Sequence, residues 1–181
     1  MANWQAFRKK MFDIAMEGDW DDFVKKYREN AAVRKAKITR SGDTALHMAV
    51  SRDQENVVEE LVKVICEKKE EEEEETKEIL RKKNNRGNTP LHVAASMGRV
   101  RMCMCIARVD PLLVGARNND GETPFFLAAL HGNKDAFLCL HNICGPENGE
   151  SYSRKNNGDT ILHCAIRRDN FGEHIYSCIS T

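Results

Sequence analysis

The chain lacks a surplus of charge of either sign: 28 lysines and arginines stand against 28 aspartates and glutamates in 181 residues. A dedicated nucleic-acid binder carries a basic excess to neutralise phosphates, so that class is set aside. No run approaches the roughly 18 consecutive apolar residues of a membrane span. The opening MANWQAFRKK holds no apolar core of a signal peptide, and Ala2 stands where N-myristoylation needs glycine. Cysteines number seven, an odd count without secretory context, which points to reduced thiols rather than a disulfide framework. Gly-rich phosphate loops, a nucleophile elbow and paired-carboxylate motifs are missing too. These absences predict a soluble, cytoplasmic chain that is not an enzyme and needs neither cofactor nor metal. Hydrophobic residues at 41% run a little low and charged residues at 31% high. A surface-rich array whose units bury only shared faces has this balance.

What is there is self-similarity. SGDTALHMAV from Ser41, RGNTPLHVAASMG from Arg86, DGETPFFLAALHG from Asp120 and NGDTILHCAI from Asn157 align on Gly42, Gly87, Gly121 and Gly158, at spacings of 45, 34 and 37. The pattern resembles the ankyrin repeat, a unit of about 33 residues with a Thr-Pro-Leu-His-x-Ala signature. It predicts an all-α array of stacked helix-turn-helix pairs. Each glycine supplies a positive-φ turn position. Thr44, Thr89, Thr123 and Thr160 follow as helix N-caps, with Pro90 and Pro124 at the first helical position, where a missing N–H costs nothing. Leu46, Leu91 and Leu162 are expected to be buried between units. Gly98 and Gly132 should close the first helices in the left-handed conformation, with Asp53 and Asp169 in their place in the first and fourth units.

The second helices carry matching apolar stripes: Val57, Val58, Leu61, Val62 and Ile65; Met102, Cys103, Ile106 and Ala107; Ala136, Phe137 and Leu140. Upstream, FDIAMEGDWDDFVKKY reads as a degenerate unit turning at Gly18, with Trp20, Phe23, Val24 and Tyr27 on one face. The organisation expected is a capping helix pair over 1–36, a first repeat over 37–69 and a Glu-rich insertion over 70–81. A second repeat over 82–116, a third over 117–152 and an incomplete fourth over 153–181 follow. The six glutamates from Glu70 to Glu75 read as a solvated, mobile insertion. Ile79 and Leu80 should rejoin the fold where Leu113 and Val114 do one unit later. Ile175, Tyr176 and Ile179 leave the fourth unit without a polar cap, so it should fray first.

Residues from Lys83 to Pro146, and the run NNGDTILHCAI, are similar to plant ankyrin proteins of the accelerated-cell-death and salt-tolerance type. That resemblance spans about Phe12 to Ile166. It implies protein contacts in stress, defence or cell-death signalling, at the cytosolic face of a membrane to which a C-terminal PGG domain tethers the relatives. No such domain stands between Ile166 and Thr181, so direct membrane insertion is not expected. Alternatives are the cytosolic sensor portion of a transporter or channel-like protein, or a targeting module of an enzyme complex.

Three histidines, His47, His92 and His163, are expected to bond backbone and turn groups rather than a metal; Phe126 replaces the fourth and should lose that tie. Cys103, Cys105, Cys139, His141 and Cys144 lack the paired CxxC spacing of structural zinc. The expected binding surface lies on turn tips and on the exposed side of the first helices. Arg86, Asn88, Asp120, Glu122 and Asn157 represent the tips, as do Arg40, Ser41 and Asp43. Arg52, Met97, Leu130, His131 and Arg167 follow the alanine pairs, with Met97 and Leu130 as apolar anchors.

Overall fold

The signature threonines mark helix starts in the computed structural model, which describes residues 2–67 and 73–167. Among the described residues the protein is all-α: no strand forms, and the only β-type pairing is an isolated bridge between Arg154 and Thr160. The chain divides into two compact units, Met1–Asn85 and Arg86–Thr181.

In the first unit, α1 (Ala2–Glu17) and α2 (Trp20–Glu29) form a helical hairpin. Gly18 turns between them, and the Asp19 carboxylate accepts from Asp22 N at 3.1 Å to cap α2. Phe23, Val24 and Tyr27 are buried, whereas Trp20 is half-buried and meets Phe23 edge-on. A short α3 (Ala31–Arg34) leads to α4 (Ala45–Ser51) and α5 (Glu55–Cys66). Helix α5 packs on both α2 and α4, burying Val58, Leu61, Val62 and Ile65. Asp53 takes φ 60° at the turn between α4 and α5, the position that glycine holds elsewhere.

The stretch expected to be a loose Glu-rich insertion is helical from Glu73 onward. Helix α6 (Glu73–Leu80) buries Thr76, Ile79 and Leu80, and the Thr76 hydroxyl donates to Ile65 O at 3.3 Å. Its glutamates face lysines one turn on, Glu73 to Lys77 at 2.6 Å and Glu78 to Lys82 at 2.8 Å, the orientation that favours a helix. Lys35 adds bonds to Glu75 and Glu78, at 3.2 and 2.5 Å. Bonds from Lys35 and Lys82 bring the Glu78 carboxyl down to about 2. Glu70, Glu71 and Glu72 lie outside the described residues.

In the second unit, α7 (Pro90–Ser96), α8 (Val100–Val109), α9 (Pro124–Leu130) and α10 (Lys134–Cys144) make two stacked pairs, with α7 against α9 and α8 against α10. A 3-10 helix at Pro111–Gly115 buries Leu113 and Val114. Helices α11 (Pro146–Tyr152) and α12 (Ile161–Arg167) follow. Between turns, Asn119 N donates to Arg86 O at 3.1 Å, and Asn133 Nδ2 donates to Ala95 O and Ser96 O at 2.9 Å each. Asparagine thus joins one tip to the next.

Leu46 and Leu91 are buried as expected, but Leu162 is 51% exposed. The cover that a following unit would supply is not found among the described residues, so the same signature position faces out. Asp169, Ile175, Tyr176 and Ile179 lie outside the described residues.

Candidate functional site

Helix α1 has two faces. Met11, Ile14 and Ala15 are buried against the rest of the first unit. On the opposite side Gln5, Arg8, Lys9, Phe12, Asp13 and Met16 recur at helical spacing and form one wall of a groove. The other wall comes from the turn before α4, Ile38 to Ser41 with Asp43, and from Met48, Ser51 and Arg52 of α4 and its C-cap. The groove encloses about 1090 Å³. Met48 is buried at 4% exposure, while Phe12 and Met16 remain 36% and 40% exposed.

The turn wall is rigid for a reason legible in its bonds. Asp43 accepts from the Thr39 hydroxyl at 2.9 Å, from the Ser41 hydroxyl, and from Asn84 Nδ2 at 2.8 Å. Its N–H donates to Thr39 Oγ1 at 2.9 Å, and Ile38 N donates to Asp43 O at 2.7 Å. Burial pushes the Asp43 carboxyl up, but the bonds from Ser41, Asn84 and Thr39 outweigh it and hold the group below its usual range. Four cations, Arg8, Lys9, Arg40 and Arg52, share the groove with two carboxylates, one of them bonded by Thr39, Ser41 and Asn84. Arg8 Nε is buried without a hydrogen-bond partner, and Arg52 Nη2 points at Met16 Sδ, 2.7 Å away.

Arg40, Ser41, Asp43, Ser51 and Arg52 thus converge on one concavity. The α1 wall is new. Its signal in the sequence is Phe12 and Met16, four residues apart on the side away from Met11 and Ile14, which a reading of this helix as a polar-backed cap passes over.

The second unit corrects two expectations. Leu130 is 8% exposed and sits in a core cluster with Phe126, Leu127, Ala129, Ile161 and Cys164, so it is no surface anchor. Glu122 is buried: Oε1 pairs with Lys155 at 2.9 Å, and Oε2 accepts from Asn118 Nδ2 at 3.4 Å. Its carboxylate serves the fold. Asn88 is half-buried and accepts from Asn118 at 2.9 Å; Met97 is also half-buried. Arg86, Asp120, His131 and Asn157 are exposed, with Asn157 bonded to Asp159 of its own turn. The Arg167 side chain lies outside the described residues.

The signature histidines are caps. Thr44 N and Thr89 N donate to Nδ1 of His47 and His92, at 3.3 and 3.1 Å, and each threonine hydroxyl lies within 2.9 Å of the same nitrogen. His163 repeats the arrangement with Thr160. At Phe126 the ring is buried in the core. The freed Thr123 hydroxyl accepts from Phe126 N at 2.9 Å and donates to Tyr152 O at 2.6 Å, so a different tie replaces the missing one. Cys103 is buried, and burial, with Cys139 nearby, pushes its thiol up to about 12. Among the described residues no three His, Cys, Asp or Glu side chains are placed to hold a metal, and no helix is long and apolar enough to cross a membrane.

A family model described as ankyrin repeats, in three copies, matches residues 11–111. Curated proteins show no match to the chain.

Proposed function

This chain belongs to the ankyrin-repeat family, and from that premise we propose that the groove between α1 and α4 is where it binds its protein partner. Repeats of this family are generally protein-interaction modules, and typically not enzymes. One observation carries the choice of surface. Half-exposed Phe12 and Met16 stand over buried Met48 in a concavity whose turn wall is fixed by its own hydrogen bonds. An interface core needs desolvated apolar anchors with polar groups at the rim, and this groove supplies both. The exposed tips Arg86, Asp120, His131 and Asn157 are a second set of contact positions on the other unit. The pathway reading is a cytoplasmic adaptor in plant stress, defence or cell-death signalling, and its support is the resemblance of the repeat sequences alone.

Affinity capture from plant-tissue extract tests the surface, with the full chain as bait beside a Phe12→Ser/Met16→Ser variant. Proteins held by the native chain and lost from the variant are expected. Identical retention by both, with the variant folded by circular dichroism, would remove this groove as the binding surface.

A further inference from the structure

The groove's chemistry narrows what can lie in it, and this step rests on the interaction reading above. We infer that the groove takes an acidic peptide segment that presents a large apolar side chain between flanking carboxylates. Charge is the first argument. Arg8, Lys9, Arg40 and Arg52 line the groove against Asp13 and Asp43, and Asp43 is already engaged by Thr39, Ser41 and Asn84. The balance is a positive field from four cations against two carboxylates inside an otherwise neutral chain. Concave walls focus such a field and attract the opposite charge.

A second observation is independent of charge counting. Arg8 Nε is buried and unpartnered. A buried donor without an acceptor is costly, and a carboxylate reaching in would satisfy it with a charge-assisted bond. Apolar shape is the third. Phe12, Met16 and Met48 frame one patch, and methionine's flexible thioether lets it adapt to an aromatic or branched guest. Gln5, Arg8 and Lys9 precede the residue 11 at which the family match begins. Two of the four cations therefore lie in the part of α1 that precedes the match.

Selection from a displayed library of random linear peptides tests this, on the full chain and in parallel on an Arg40→Glu/Arg52→Glu variant. Both residues are exposed, and Lys9→Glu on the facing wall replaces the double variant if that one does not fold. Peptides enriched on the native chain should carry carboxylates around a large apolar residue. They should bind the variant about tenfold more weakly or worse, with native binding weakening as salt rises. Neutral or basic peptides, or equal binding to both chains, overturn the inference and leave the interaction reading standing. If no peptide is enriched on the native chain, the interaction reading fails and this inference fails with it.

Discussion

The Nε2 atom of His92 lies 3.1 Å from the carbonyl oxygen of Glu122. The backbone N–H of Thr89 can only donate, so Nδ1 of the same ring accepts and the proton sits on Nε2. One neutral imidazole therefore caps α7 and bonds the turn of the next repeat.

His92→Ala should cost at least about 2 kcal/mol, because two buried groups lose their partner at roughly 1–3 kcal/mol each. Urea unfolding followed by circular dichroism measures it. A loss below about 0.5 kcal/mol, the range of an ordinary surface change, would make the histidine dispensable.

Two leucines at one signature position should behave in opposite ways. Leu91 is fully buried and Leu162 is half exposed. Leu91→Ala should destabilise by about 2–5 kcal/mol, the range for a truncated core leucine. Leu162→Ala should stay within about 0.5 kcal/mol. Equal effects in urea would contradict the exposure of Leu162.

Two tip glycines separate strain from crowding. Gly158 has φ +84° with open space around it, whereas a Cβ on Gly87, at φ +76°, would meet Asn119 N at 2.6 Å. Gly158→Ala should cost only the conformational term, about 1–2 kcal/mol. Gly87→Ala should cost clearly more, because its obstacle is backbone of the next turn and cannot rotate away. Thermal melts of the two variants rank them, and a reversed order would refute the tip-to-tip contact.

The turn-and-helix signature was legible because each of its residues answers a local demand: threonine caps, proline starts, glycine turns. Burial was less legible, since it depends on a neighbour. Leu162 shares the signature position of Leu46 and Leu91, yet it stays half exposed where they are covered. Leu130 and Glu122 occupy positions that usually face out, but Leu130 joins the cluster around Phe126, and Lys155 draws Glu122 inward. The glutamate run reads as solvent-loving, and Glu73 and Glu74 are exposed. Its helix is set by lysines four residues on and by Ile79 and Leu80 beneath. The groove escaped notice because α1 keeps apolar residues on two faces, and only packing tells which face stays open.

Stability should depend on acid through Asp43. Burial alone would raise this carboxyl, but bonds from Ser41, Asn84 and Thr39 bring it below 3.8 in the folded chain. In the unfolded chain those bonds are gone and the group titrates near its reference of about 3.9. Between the two values the unfolded state binds more protons, so stability rises with pH across that window. The contribution is complete above the unfolded value and disappears as pH falls through the folded one. Asp43→Asn keeps the shape but removes the titrating charge, so the native chain should be the more stable of the two near neutrality. Its advantage should narrow as pH falls from the unfolded value through the lower folded one. Urea midpoints of both chains, taken stepwise from neutral pH into acid, measure that gap. A gap that stays constant would mean that the charge on Asp43 does not hold the turn wall of the groove in place.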